Sequence, residues 1–359
     1  MEKSLSLSVH HLVDFLLRTG DIDNRVYNKT TMSEGTKIHS FYQSKQKSNY
    51  ISEFYLRETF YVSGFTVTLD GRADGVIIEE DKVTIDEIKS TISPLDEYYE
   101  SQKNWHLGQA KCYALMYAHL NHLDQIDVQL TYIHQLENTK MFKHFTYKTS
   151  ALEEDVRNLI KDYIEFYQTI FDRTEKRNLS AKTLSFPFQK FRAGQKELSK
   201  YAYGIAKNGG ILFAEAPTGI GKTMSTLYPF AKSFSDDENE KIFYLTAKNS
   251  GRTMAFEATK LLLENGLYAS GIMITAKDKT CFCPGKGCNP DECPFAKDYY
   301  TNIRRVLVES LKEYQLFTPE LIADIAKQYA VCPFELSLDL SLYVDIIVCD
   351  YNYLFDPMV

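Results

Sequence analysis

Apolar residues recur at helical spacing from Leu5 to Arg18, and the segment GTKIHSFYQ around His39 repeats the pattern more briefly, so two helices are expected near the start of the chain. From Glu53 the period shortens to two. FYLRETFYV, FTVTLDGRADGVII and KVTIDEIKS alternate apolar with polar positions, and Gly64 and the acidic run 79–81 mark turns between them. The expected product is an antiparallel meander. A helix is expected from about Glu100 to Leu120, a strand from Val128 to His134 and a helix from about Leu152 to Asp172.

The polar run DRTEKRNLSAKT then interrupts the periodicity and reads as a linker. Beyond it, GGILFAEAPTGIGKT reads as strand, glycine loop and helix, and KIFYLTAK as a further buried strand. That alternation predicts a parallel sheet. The chain is therefore expected to be α/β. Its first domain spans 1–172 and is a mixed sheet flanked by helices; a linker covers 173–184. A partial parallel α/β domain covers 185–359, with a cysteine-rich insertion at about 270–335.

Composition adds few limits. With 359 residues, 44% of them hydrophobic and 25% charged, the chain is long enough for two domains. No apolar run approaches the roughly 18 residues that span a bilayer, and the N-terminus lacks the basic and small-residue pattern of a signal peptide, so a cytoplasmic protein without membrane contact is expected. A net charge of −7 argues against a chain basic throughout, but local patches and bound metal ions set phosphate affinity. Five of the seven cysteines fall between Cys281 and Cys332, which points to a metal centre rather than a disulfide scaffold.

Four short patterns occur in order: Gly35 to His39, Gly71-Arg-x-Asp74, Glu87-x-Lys89 and Gln109 to Tyr113. Glu87 and Lys89 are two apart on an expected strand, so their side chains leave one face. Glu87, Asp74 and His39 can hold a divalent ion while Lys89 orients water or offsets phosphate charge. Gln109 and Tyr113, four apart, share a helical face and can meet a DNA strand. Each pattern alone is weak, since an E-x-K triplet is usually a solvated strand edge and a lone His usually structural. Their order is what carries weight. Over about residues 1–170 it resembles the RecB-like branch of the PD-(D/E)XK nucleases. The resemblance implies Mg²⁺ or Mn²⁺ on His39, Asp74 and Glu87, catalysis by Asp74, Glu87 and Lys89, and nucleic-acid contact by Gln109 and Tyr113. Cys112 is the only cysteine before residue 281, so a cluster inside this domain is not expected.

Residues Ala216 to Thr223 read APTGIGKT, the composition of a phosphate-binding loop. Gly219 and Gly221 let backbone N–H groups surround phosphates, Thr218 belongs to the same nucleotide-binding loop, Lys222 reaches the outer phosphates, and Thr223 binds Mg²⁺ with ATP. The alternative is a glycine-rich turn with an incidental lysine. Ala216 stands where the general pattern has glycine, as in superfamily 2 helicases. Arg192-x-x-Gln195 resembles their Q-motif, whose glutamine reads adenine, and YLTAKNSGRT at 244–253 resembles motif Ia.

Cys281, Cys283, Cys288, Cys293 and Cys332 lack the C-x-x-C knuckles of structural zinc, although spacing alone leaves an iron–sulfur cluster, zinc or unligated cysteines open. Their position before VDIIVCDYNYLFDP, with Cys332 opening CPFELS, resembles the XPD and DinG helicases over about 185–359. The resemblance implies a 4Fe–4S cluster on Cys281, Cys288, Cys293 and Cys332. Cys283 is then surplus, although it can exchange roles with Cys281.

An ATPase also needs an acidic motif II and an arginine finger, and neither is evident. The expectation is a sequence stopping short of the DEAH box, the N-terminal part of an ATP-dependent DNA helicase with nuclease activity in repair, recombination or defence. Its partners would be DNA, single-stranded or with a single-stranded tail, and the remaining C-terminal helicase half. The alternatives are a stand-alone Mg²⁺- or Mn²⁺-dependent DNase with a non-hydrolysing motor remnant, and a non-catalytic nucleotide-responsive DNA-binding subunit.

Overall fold

The computed structural model describes residues 3–25, 29–236 and 240–355. The chain forms two compact units: Met1–Tyr167 with Lys286–Arg304, and Gln168–Gly285 with Arg305–Val359.

The first unit is built on a mixed sheet. Its elements are β1 (Ser4–Ser8), α1 (Val9–Leu17), α2 (Lys29–Ser44), β2 (Tyr50–Val62), β3 (Phe65–Glu79), β4 (Lys82–Thr91), α3 (Leu95–Leu120), β5 (Gln125–His134), β6 (Lys140–Lys148) and the start of α4 (Thr149–Thr183). The strands run in the order β1-β3-β4-β5-β6, with β2 also paired to β3. β2, β3 and β4 form the expected antiparallel meander.

Two elements depart from the expectation. The first turn read as helix is β1, because Ser-Leu-Ser-Leu-Ser alternates and finds an edge of β3 to pair with in parallel. Ser8 then caps α1, its Oγ accepting the His11 N–H at 3.0 Å. The second is β6, an alternating edge strand antiparallel to β5 that adds to the expected elements.

In the second unit α4 continues to Thr183, so the residues read as a linker are helical. Arg177 explains why. Its guanidinium is buried and bonds Asp345 Oδ1 and the Glu240 carbonyl, both at 2.8 Å, so a polar-looking segment becomes an interior one. There follow α5 (Gln195–Asn208), α6 (Lys222–Ser233), β7 (Ile242–Leu245), α7 (Asn249–Glu264), β8 (Gly271–Met273), α8 (Lys277–Thr280), α9 (Tyr299–Glu313), β9 (Leu316–Phe317), α10 (Pro319–Tyr329), α11 (Pro333–Ser341), β10 (Ile346–Cys349) and α12 (Asn352–Phe355). The expected parallel sheet is present as β7-β10-β8-β9, and Leu227, Phe256, Leu262, Ile346 and Val348 share its core.

The strand expected at Ile211–Phe213 is not formed; residues 209–217 are irregular, with Ile211 81% and Phe213 94% exposed. A parallel strand needs a ladder partner, and none of the described strands pairs with this segment. The insertion expected at about 270–335 is also not one body. Residues 286–304 belong to the first unit, where Ile22 donates to Ala296 O at 2.9 Å, Asn24 to Cys288 O at 2.8 Å, and Arg25 pairs with Asp291 at 2.6 Å.

Candidate functional site

The geometry of the first unit turns on a gap beside β3. β2 follows β3 along nearly its whole length, so β1 and β4 must share the opposite edge. β1 pairs with Thr66–Asp70 and β4 with Gly75–Glu79, which leaves Gly71–Asp74 without a strand on that side. Backbone groups left unpaired in such a place need other partners. Asp74 supplies one, since its Oδ2 accepts the Ile88 N–H at 2.7 Å. The glycines flanking the gap serve close approach: a Cβ on Gly71 would lie 2.8 Å from the Tyr113 hydroxyl, and one on Gly75 would lie 2.0 Å from the Tyr50 hydroxyl.

On β4 the period of two divides the side chains between faces. Asp86 and Ile88 take one face, where Asp86 accepts Tyr50 Oη at 3.1 Å and Gln129 Nε2 at 3.0 Å, and Ile88 packs with Tyr42 of α2. Glu87 and Lys89 take the other, toward α3. Lys89 Nζ lies 2.7 Å from Glu87 Oε1 and donates to Gln109 Oε1 at 3.0 Å. Glu87 is 1% exposed, and its Oε2 has no hydrogen-bond partner. His39 approaches from α2, its Nδ1 4.0 Å from Asp74 Oδ1.

The electrostatics follow from this burial. Desolvation pushes the Glu87 carboxyl up to about 8 despite Lys89, and raises Asp74 as well. Burial lowers His39 against the pull of Asp74. For Lys89, burial opposes the charge, but Glu87 and Asp74 outweigh it and the ammonium is held above its ordinary value. An orphaned carboxylate oxygen, a second carboxylate, a neutral imidazole and a lysine ammonium thus converge. Their donors fit a hard divalent cation. Among the described residues, no group of three or more His, Cys, Asp or Glu side chains is set at metal-holding distances.

Asp74, Glu87, Lys89 and His39 are therefore neighbours. Gln109 and Tyr113 are placed differently from the expected DNA-facing pair. Both are buried, at 8% and 3% exposure, and Gln109 bonds both Lys89 and the Tyr113 hydroxyl. In this arrangement Gln109 braces the lysine. Glu53 of β2 was not singled out by any motif, yet Gln43 Nε2 joins its Oε1 at 3.0 Å to the Asp74 carbonyl at 2.9 Å.

The second unit holds the glycine loop. Gly219 and Gly221 have φ of 88° and 89°, a region side chains disfavour, and Gly221 caps α6. Lys222 Nζ bonds the Ala216 and Pro217 carbonyls at 2.7 and 3.0 Å. Arg192 donates to the Gly219 carbonyl at 2.6 Å. Gln195 is buried; its Oε1 accepts the Arg192 N–H at 2.9 Å and its Nε2 reaches toward the Gly221 carbonyl at 3.5 Å, so it braces the loop. Thr218, Gly219, Gly221, Lys222 and Thr223 line a cavity of about 620 Å³ together with Gln195. That volume suits a small-molecule ligand. Tyr244 of β7 adds a hydroxyl 3.4 Å from Thr223 Oγ1.

No disulfide joins any of the seven cysteines. Cys281, Cys283 and Cys332 fall in the second unit, Cys288 and Cys293 in the first. The Cys283 N–H donates to Cys281 Sγ at 3.4 Å, and Cys332 is the N-cap residue of α11, where burial pushes its thiol up to about 11.

The chain resembles known proteins in a limited region. No curated protein matches it. Among solved structures, "Crystal structure of SSO0001" is 19% identical with a TM-score of 0.28, covering 43% of this chain and 75% of that one. Residues 268–359 match the DEAD_2 family model. The C-terminal quarter of the chain is thus similar to a helicase-related family.

Proposed function

We propose that the chain joins a metal-dependent PD-(D/E)XK DNA nuclease to the ATP-binding lobe of an iron–sulfur helicase of the XPD/DinG kind, acting on DNA with a single-stranded part. The observation that carries the nuclease half is the buried Glu87 carboxylate, with one oxygen on Lys89 and the other unpartnered, beside Asp74. Asp74, Glu87 and His39 would hold Mg²⁺ or Mn²⁺, which when bound polarises the scissile phosphate. Lys89, fixed by Glu87 and Gln109, points its ammonium where it can orient water or meet phosphate charge. The glycine loop supports ATP binding by the second unit through Lys222 and Thr223. Four of the cysteines, Cys281, Cys288, Cys293 and Cys332, are proposed to hold a 4Fe–4S cluster, on the resemblance of about residues 185–359 to the XPD and DinG helicases and on the N–H···S contact at Cys281.

Incubation of the purified chain with labelled single-stranded DNA and Mn²⁺ tests the leading reading. Cleavage that Glu87→Ala abolishes supports it, and cleavage that survives this substitution overturns the site. ATP-stimulated cleavage supports coupling to the motor. A stand-alone DNase with a non-hydrolysing remnant is favoured by one observation, the unpaired segment leading into the glycine loop. DNA binding with no cleavage under any metal would leave a nucleotide-responsive binding subunit.

A further inference from the structure

Pairing of β2 with β3 keeps one register on both sides of residue 53: Ser52 lies against Gly75 and Phe54 against Ala73. Glu53 is thereby opposite Asp74. The regular pairing lapses at that one step, where Glu53 adopts a φ of 54°, a conformation uncommon outside glycine, asparagine and aspartate. Two like charges opposite each other in an antiparallel pair destabilise it, and a non-glycine residue in the left-handed region adds local strain. Nothing in the packing requires a carboxylate here, since Glu53 is solvent-exposed.

Its surroundings give the carboxylate a purpose. Gln43 lies one helical turn after His39 on α2, so both side chains leave the same face. Its amide ties Glu53 Oε1 at 3.0 Å and the Asp74 carbonyl at 2.9 Å, fixing one Glu53 oxygen beside the gap. The Glu53 charge raises both His39 and Asp74. Independently, Glu87 Oε2 is buried without a hydrogen-bond partner in the same group, and an isolated carboxylate oxygen in the interior calls for a cation.

We infer that Glu53 is a further carboxylate of this metal site, holding the divalent ion directly or through an ordered water from the strand opposite Asp74. The inference rests on the nuclease reading of the site and adds a residue to it. Local strain and repulsion at Glu53 are offset when a cation sits between the two strands. Because β2 reaches the site through its pairing register, no short motif around Glu53 marks it.

Calorimetric titration of Mn²⁺ into the metal-free full-length chain tests this without relying on cleavage. The wild-type chain binds, Glu87→Gln and Asp74→Asn lose binding, and Glu53→Gln binds about 10-fold more weakly, the lower end expected for a metal-tuning partner. Glu53→Asn, whose side chain tolerates positive φ, gives the same loss and serves where the glutamine variant folds poorly. Wild-type affinity in a folded Glu53 variant, with binding lost in Glu87→Gln, overturns the role of Glu53 and leaves the nuclease reading intact. Wild-type affinity in Glu87→Gln and Asp74→Asn overturns both.

Discussion

Asp74 receives the main-chain N–H of Ile88 on its carboxylate at 2.7 Å, so one side chain both closes the ladder where β3 and β4 part and offers an oxygen to the candidate metal site. The two duties separate by substitution. Asp74→Ala leaves the Ile88 N–H unpaired beside a fully buried side chain and costs about 1–3 kcal/mol. Asp74→Asn keeps a carbonyl acceptor, retains most of that stability and loses Mn²⁺ affinity. Urea unfolding of both variants beside Mn²⁺ titration checks this. An asparagine variant as unstable as the alanine one would show that charge, not the acceptor, holds the strands.

Glu87 makes metal-free stability depend on pH. Its folded value is about 8 against an ordinary 4.5, so the folded chain holds a proton that the unfolded chain gives up. The sign follows from linkage: its contribution is most favourable below pH 4.5 and declines as pH rises through 8. In EDTA, the melting temperature of the wild type relative to Glu87→Gln should fall steadily between pH 5 and pH 8. A difference independent of pH would mean that the carboxylate is ionised throughout.

Gln109 is expected to act through Lys89. Removing its oxygen leaves the ammonium with Glu87 alone, so Gln109→Ala should lower the cleavage kcat about 10-fold while the Kd for single-stranded DNA stays near wild type. A direct DNA contact gives the opposite split, with weakened binding and kcat preserved. Filter binding and single-turnover cleavage on the same DNA distinguish them.

Lys222 bonds the carbonyls of its own loop and, on the proposed ATP-binding reading, would exchange them for phosphate oxygens. Lys222→Ala loses a charge-assisted bond of about 2 kcal/mol and should weaken ATP binding roughly 30-fold. Mn²⁺-dependent cleavage without ATP should be unchanged, because that chemistry is placed in the first unit. Fluorescent nucleotide titration and a cleavage assay read the two effects.

The cysteines make a prediction about colour and metal content. Anaerobically purified protein should be brown and contain iron and sulfide. Cys332→Ser should lose both, and Cys283→Ser should keep them. Stoichiometric zinc with no visible absorbance would replace the cluster with a zinc site. Loss in Cys283→Ser with retention in Cys281→Ser would exchange those two ligands.

Much of the candidate chemistry was legible because it is local. A period of two puts Glu87 and Lys89 on one face of β4 whatever that strand pairs with. The glycines of the glycine loop declare a backbone that only they adopt readily, and they have it at Gly219 and Gly221. His39 and Asp74, far apart in the chain, stand together at the gap beside β3.

Other features depend on partners distant in the chain. Arg177 looks like a linker residue until Asp345, far along the sequence, turns its segment into buried helix. Gln109 and Tyr113 share a helical face, as their spacing requires, but packing against Lys89 and Gly71 decides that this face looks inward. Residues Ile211–Phe213 have the composition of a strand and no ladder to join. Glu53 meets Asp74 only through the register of β2 on β3. Periodicity and turn chemistry are properties of neighbouring residues, so sequence determined the elements and the chemical groups they carry. Which face is buried, which strand finds an edge and which carboxylates stand together are set by long-range pairing, and only the tertiary structure decided them.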